Sequence, residues 1–482
     1  MKLSRGIMVY NSMDANRALA HNTILQLVGK AFGMVLGLST VALLLHYLGD
    51  AGYGAYTTAN TFLSLFAVVV DFGLTLTTVS MISEPGADEP KILGNLISLR
   101  LVSGFIVFVI APIVALAFPY SMEIKLAIGI GALAYFFQST GQMLIGIYQK
   151  RLQMMRVAIA ELVGRVVLLL GVGFVVFIAG NLIEIIIALA ISTGVQTALL
   201  ILLAKRFVHI RSRFDWSVWK EIFHRSWPIG VSIFFNLIYL RGDIILLSVM
   251  KSQGDVGQYG GAYKVIDTVT ALPVMFMGLV LPILVAAWKR RDHVEFQSTL
   301  QKSFDFFSMI ALPLAVGAYA LATPIMVFVG GKEFVSAGPI LAVLAPATAI
   351  VFYGALFGHA VVAVNKQRLM TLGYAFASAV SVIAYLLLIP PFGTTGAAWV
   401  TLISEALITA LTYIVVYRAS RVHLKLHVTV KALCASVVMY LFLQLITPFH
   451  LLIEVALGSL VYMITLVALG GLKPKTIRSL FV

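Results

Sequence analysis

Apolar runs of about twenty residues follow one another along nearly the whole chain, separated by short polar breaks. A helix rises about 1.5 Å per residue, so each run is long enough to cross about 30 Å of hydrocarbon. The pattern predicts helices at roughly 22–46, 55–82, 93–118, 124–148, 157–179, 184–204, 227–250, 258–287, 303–329, 338–363, 369–389, 397–417, 429–447 and 451–470, about fourteen in all. The polar breaks test this count, because Lys and Arg collect on cytoplasmic loops. Alternate breaks carry Lys150, Arg151 and Arg156, then the basic stretch from Lys205 to Arg225, then Lys289, Arg290 and Arg291. The opposite side offers only Lys125, Lys251 and Lys332. Both termini are therefore expected in the cytoplasm. The first 22 residues lack the apolar core of a cleavable signal and read as a cytoplasmic lead-in.

Composition agrees with an integral membrane protein: 60% of the residues are hydrophobic and 11% charged, where a soluble domain carries about a quarter charged. The net charge of +14 would suit nucleic acid, but the basic residues sit in clusters between spans and form no stripe, so no nucleic-acid partner is expected. The single cysteine, Cys434, excludes an internal disulfide and zinc-ligand spacing. No GxxxxGK[ST] loop is present, which argues against ATP hydrolysis by the chain, and no cofactor is expected. The connections opposite the basic side, such as PYSMEIK and PPFGTTG, are short. They leave no room for the catalytic domain of a membrane-embedded glycosyltransferase or polymerase. The longest connection, 205–226, mixes Phe214, Trp216, Trp219 and Phe223 with Lys220 and Arg225. It reads either as a helix lying in the membrane interface or as a solvated basic loop.

That connection divides the chain after the sixth span, and the two halves resemble each other. LGDAGYGAYTTANTF (48–62) follows the first span and QGDVGQYGGAYKVID (253–267) the seventh. Internal repeats mark many secondary transporters, with the substrate path at the repeat interface. The expected organisation is an N-lobe (1–204), a linker (205–226), a C-lobe (227–417), and a C-terminal helix pair with a tail (418–482). Both lobes have the same orientation.

Together with DFGL (71–74) and IPPFGTTGAAWVTLISE (389–405), these motifs and their order resemble the polysaccharide flippases of the Wzx type, in the multidrug/oligosaccharidyl-lipid/polysaccharide exporter superfamily. The resemblance covers essentially the whole chain. It implies an all-α, V-shaped bundle in the cytoplasmic membrane that moves polyprenyl-pyrophosphate-linked oligosaccharide outward by alternating access. That transport would serve O-antigen, capsule or exopolysaccharide assembly, alongside membrane lipids and polysaccharide assembly proteins. The alternative within the superfamily is a MATE-type ion-coupled drug exporter.

Charges inside the spans are the candidate chemistry, since each costs roughly 2.5–3.5 kcal/mol on insertion scales. Five are cations: Lys30, Arg100, Arg165, Arg241 and Lys264. Lys30, Arg165 and Arg241 lead as ligands for a pyrophosphate, with Arg100 and Lys264 behind them. Asp71, Glu161, Asp243, Asp267 and Glu405 are the charge partners, or carriers of a coupling H+ or Na+. Glu161 with Arg165, and Lys264 with Asp267, are spaced to share a helical face and to neutralise locally. Arg241 and Asp243 point about 200° apart and need partners on other helices or on a substrate. Arg100 either snorkels to the basic side or serves the site. Lys30 lies among Gly29, Gly33 and Gly37, which mark either a site or close helix packing. Tyr135, Phe136, Phe137 and Tyr148 are candidate sugar-stacking rings, or simply core.

Overall fold

The computed structural model describes residues 12–84, 86–151, 153–205, 212–446 and 450–471, with only the backbone placed for 12–28, 30, 31 and 76. The described residues fold into helices. The first half holds α1 (Ser12–Asp71), α2 (Leu74–Ile82), α3 (Glu89–Leu116), α4 (Met122–Lys150), α5 (Met154–Phe177) and α6 (Leu182–Ala204). The second holds α7 (Trp216–Met250), α8 (Gln253–Lys289), α9 (His293–Ala320), α10 (Ala322–Gly330), α11 (Ala337–Ala363) and α12 (Gln367–Ser420). Helices α13 (His427–Leu445) and α14 (Leu451–Ala468) pack on α9.

Among the described residues, eleven helices are long and apolar enough to cross a membrane. Two of them, α1 and α12, bend at Gly49 (φ 66°) and Gly393 (φ 58°) and so cover two spans each. A side chain would strain that left-handed backbone. Helix α4 has the length but more polar residues, and it completes the fourteen segments expected from the apolar runs. Helix starts follow capping chemistry. Asn181 with Glu184 and Ser252 with Asp255 form reciprocal capping boxes. The outward faces are apolar: Phe105, Leu170 and Leu387 are all more than half exposed, as suits a multi-pass membrane protein whose solvent is lipid.

The 205–226 connection is helical from Trp216 onward. Asp215 caps α7 through the Ser217 N–H (3.0 Å), and the helix then runs unbroken through Pro228 to Met250. The aromatic-basic segment from Trp216 is thus continuous with the following span, while 206–211 lies outside the described residues. Its start is tied to the first half, because Asp215 pairs with Lys91 at 2.8 Å and its N–H donates to Asn95 Oδ1 at 2.6 Å. The Asp215 carboxyl is held below the usual carboxylate range by the Lys91 ammonium.

The two halves meet most closely where α1 crosses α8, at the end carrying the short connections. A Cβ on Gly54 would lie 2.7 Å from the Gln253 carbonyl carbon, and one on Gly257 would lie 2.8 Å from the carbonyl carbon of Asp50. These reciprocal contacts make Gln253 the counterpart of Asp50. Overlaying the repeated motif would instead set Gly54 opposite Tyr259. The packing register is two positions off because the approach follows the residues without a Cβ, and these need not coincide with the shared Gly-Asp pair. Thr58 donates to Gln253 Oε1 at 2.8 Å across this seal. At the basic end the halves touch again, where Phe72 stacks on Phe223 of α7.

Candidate functional site

Arg241 and Asp243 diverge on α7 as the helical period requires, and each finds its partner on α8. Arg241 Nη2 donates to Asp267 Oδ2 at 2.7 Å, with its guanidinium 5.0 Å from the Tyr263 ring centre. Asp243 is fully buried on the other side. Its Oδ2 accepts from the Tyr259 hydroxyl at 2.6 Å, and its Oδ1 from the Ile244 N–H at 2.7 Å.

Arg241 faces a cavity of about 620 Å³ between the halves, walled by α1, α4, α5, α7 and α8. Arg165 and Lys264 also line it, and Asp267 is the carboxylate among its lining residues. Among its described lining residues, three cations face one acid. The five cations and five acids named inside the spans balance to near neutrality in the sequence, because a count does not separate charges that line the cavity from charges spent in the packing.

Arg165 reaches this position through a groove in α1. Its Nη1 donates to the Gly33 carbonyl at 2.5 Å, and a Cβ on Gly37 would sit 2.9 Å from the same nitrogen. Gly33 and Gly37 therefore make room for Arg165, whereas Gly29 faces Ala158. Lys30 itself lies on α1 one turn before Gly33, and its side chain is outside the described residues. Glu161 sits half-buried one turn before Arg165 on α5. The expected Lys264–Asp267 pair does not form. Asp267 is engaged by Arg241, and the exposed Lys264 has no acid partner among the described residues.

Arg100 and Asp71 do not belong to the site. Arg100 is 1% exposed and donates to Asp71 Oδ1 (2.6 Å), the Val70 carbonyl (2.8 Å) and the Ser139 carbonyl (3.2 Å). Asp71 also accepts from Thr75 at 2.6 Å. The pair binds the end of α1 to α3 and α4, so Arg100 neither snorkels nor faces the cavity. Its guanidinium fork caps the Val70 carbonyl where α1 ends and reaches the Ser139 carbonyl within α4. Of the four candidate stacking residues only Tyr135 lines the cavity, donating to the Asn60 carbonyl at 2.9 Å. Phe136 and Phe137 fit against Gly104 and Gly194, and Tyr148 is buried with its hydroxyl on the Leu200 carbonyl. Sequence reading missed the cavity residues Tyr56, Asn60 and Gln138. The polar Asn60 within an apolar run was the available signal.

A second cavity of about 480 Å³ lies within the second half, among α7, α8, α11 and α12, and it shares Tyr263 and Asp267 with the first. Glu405 and His359 line it.

A multi-pass helical bundle with a charged cavity between two halves is the framework of a membrane transporter. The chain belongs to the polysaccharide biosynthesis protein family, whose model matches residues 19–288, more than half of its length. It is 24% identical over 409 residues, 82% of both chains, to the probable low-salt glycan biosynthesis flippase Agl15 of Haloferax volcanii. Among solved structures, the lipid II flippase MurJ in its inward closed conformation superposes with a TM-score of 0.74 at 17% identity, covering 92% of this chain and 98% of that one. An inward-facing multidrug resistance MATE family transporter follows at 0.68 and 14% identity, covering 83% and 98%. These two likenesses establish the fold.

Proposed function

We propose that this protein is a flippase that carries a lipid-linked oligosaccharide, joined to its polyprenyl carrier through pyrophosphate, across the cytoplasmic membrane. The observation that carries the reading is the cavity between the halves, lined by Arg165, Arg241 and Lys264 with Asp267 as the counter-charge. A multiply charged phosphate cannot enter a low-dielectric passage without compensation. Arginine forks grip its oxygens, and the lysine adds a point charge. Asp267 holds Arg241 in place until a phosphate displaces it. The same polarity argues against the drug-exporter reading, which needs acids and aromatics for organic cations. Family membership and the similarity to a probable glycan flippase support the glycan as cargo.

In this reading the lobes 1–204 and 227–417 rock about the cavity, and 418–482 forms an appended pair. The Lys- and Arg-rich end, with both termini, faces the cytoplasm. The α1–α8 seal then closes the outer side. An inside-negative potential favours outward movement of the anionic head group by about 2.3 kcal/mol per charge per 100 mV. Translocation of lipid-linked oligosaccharide in proteoliposomes tests the proposal. Arg241→Ala and Lys30→Ala should each abolish transport while inserting normally. Wild-type transport by both variants would refute these assignments.

A further inference from the structure

The second cavity has a polarity opposite to the first. Neither Lys nor Arg is among its lining residues, which include Asn236, Thr270, His359, Tyr374 and Glu405. Glu405 is 8% exposed, lines the cavity, and has neither a hydrogen-bond nor an ion-pair partner among the described residues. Buried polar groups are nearly always satisfied, so a carboxylate facing an internal space calls for a ligand carrying donors. Beside it Tyr374 stacks on Tyr239 with ring centres 6.3 Å apart and planes 6° apart, and both line the space. They give this side of the cavity an aromatic wall, and an aromatic π-face attracts the positive edges of C–H bonds.

We propose that this cavity is a sugar subsite, receiving an uncharged pyranose of the head group while the pyrophosphate occupies the cationic cavity next to it. The inference rests on the proposed function, since it places the glycan relative to the phosphate. Hydroxyl groups donate to Glu405 and exchange hydrogen bonds with Asn236, Thr270 and His359. The apolar face of the ring lies on the tyrosine wall. Asp267 borders both cavities, so the linkage between sugar and phosphate passes it. A volume of about 480 Å³ falls within the range of about 300–1,000 Å³ found for small-molecule pockets.

The test is binding of two probes to the full chain in lipid nanodiscs: a bare polyprenyl pyrophosphate, and the same carrier bearing one N-acetylglucosamine. The wild type should bind the glycosylated carrier more tightly. Glu405→Gln and Tyr374→Ala should each cut that affinity by about tenfold, as expected for loss of a hydrogen bond to a charged group or of a stacking face. Affinity for the bare carrier should be unchanged. Equal binding of both probes by the wild type would overturn the subsite, as would parallel loss of both probes in the variants. So would a Glu405→Gln protein in which only the pH dependence of binding moves, which would mark a proton carrier. If the wild type binds the glycosylated carrier through Glu405 and Tyr374 but ignores the bare one, the subsite stands and the phosphate reading falls. Failure to bind either probe overturns both.

Discussion

Replacing Gly257 by alanine adds one methyl group at the tightest point between the halves. Its carbon would overlap the Asp50 carbonyl oxygen and lie 2.8 Å from the Asp50 carbonyl carbon and 3.0 Å from the Gly54 nitrogen, where unstrained carbon contacts sit at about 3.5–4.0 Å. The obstacles are backbone atoms, so no rotamer change relieves the clash. Helices α1 and α8 must separate by more than about an ångström there. Overpacking of this kind costs about 1–3 kcal/mol, and the cost falls only on the conformation in which the seal is shut. The sealed population should therefore drop about 5- to 150-fold relative to the open one. Asn60 lies below the seal and lines the cationic cavity. In a Cys434→Ser background, Asn60→Cys should react slowly with an impermeant maleimide added from the short-connection side. Adding Gly257→Ala, or Gly54→Ala at the reciprocal contact, should accelerate labelling by that factor. An unchanged rate in a folded, inserted protein would refute the claim that these glycines close the end carrying the short connections.

Three further outcomes follow from other parts of the structure. Arg100→Ala should lower thermal stability in detergent by about 3–5 kcal/mol, the cost of breaking a buried ion pair, and Arg100→Lys should rescue little because the three acceptors are met by three separate guanidinium nitrogens, a spread that the single nitrogen of an ammonium does not span; an Arg100→Ala protein that is stable but unable to bind substrate would contradict the structural assignment. Gly37→Leu should displace the Arg165 guanidinium and weaken pyrophosphate binding by about 10- to 150-fold, the loss of one charge-assisted bond worth about 1.5–3 kcal/mol, whereas Gly37→Ala, which meets only the flexible tip of that side chain, should cost far less. At the basic end, burial raises the Glu89 carboxyl, but hydrogen bonds and attraction from Lys150 and Arg151 outweigh it and hold it below its usual value; its contribution is therefore full above the unfolded value of about 4.3 and is lost as pH falls through the lower folded value, so the stability gap between wild type and Glu89→Gln should stay level from neutral to mildly acidic pH and close only below about pH 4.

The spans were legible in the sequence because hydrocarbon thickness sets one length and basic residues mark alternate breaks, two constraints that act locally. The divergence of Arg241 and Asp243 was legible for the same reason, since a helical period fixes it. What the sequence could not supply was which charges meet across helices. Arg100 and Arg165 look alike as lone arginines in apolar runs, yet one is locked onto Asp71 and two carbonyls and the other faces the cavity. Lys264 and Asp267 have the spacing of a local pair, but the Arg241 guanidinium on α7 takes the carboxylate. The glycines of α1 gave a visible signal with the wrong owner, because their effect depends on a side chain some 130 positions away, as the Arg165–Gly33 bond shows. Helix α7 likewise absorbed half of a segment that composition set apart, since a capping aspartate tied to Lys91 starts it early.

A structure of the protein with lipid-linked oligosaccharide bound tests the central claim most directly. The account predicts pyrophosphate oxygens at about 2.7–2.9 Å, the range of charge-assisted bonds, from the side-chain nitrogens of Arg165, Arg241 and Lys264, with Asp267 released from Arg241. Phosphates resting elsewhere, with the Arg241–Asp267 pair intact and the cavity holding only water, would contradict it.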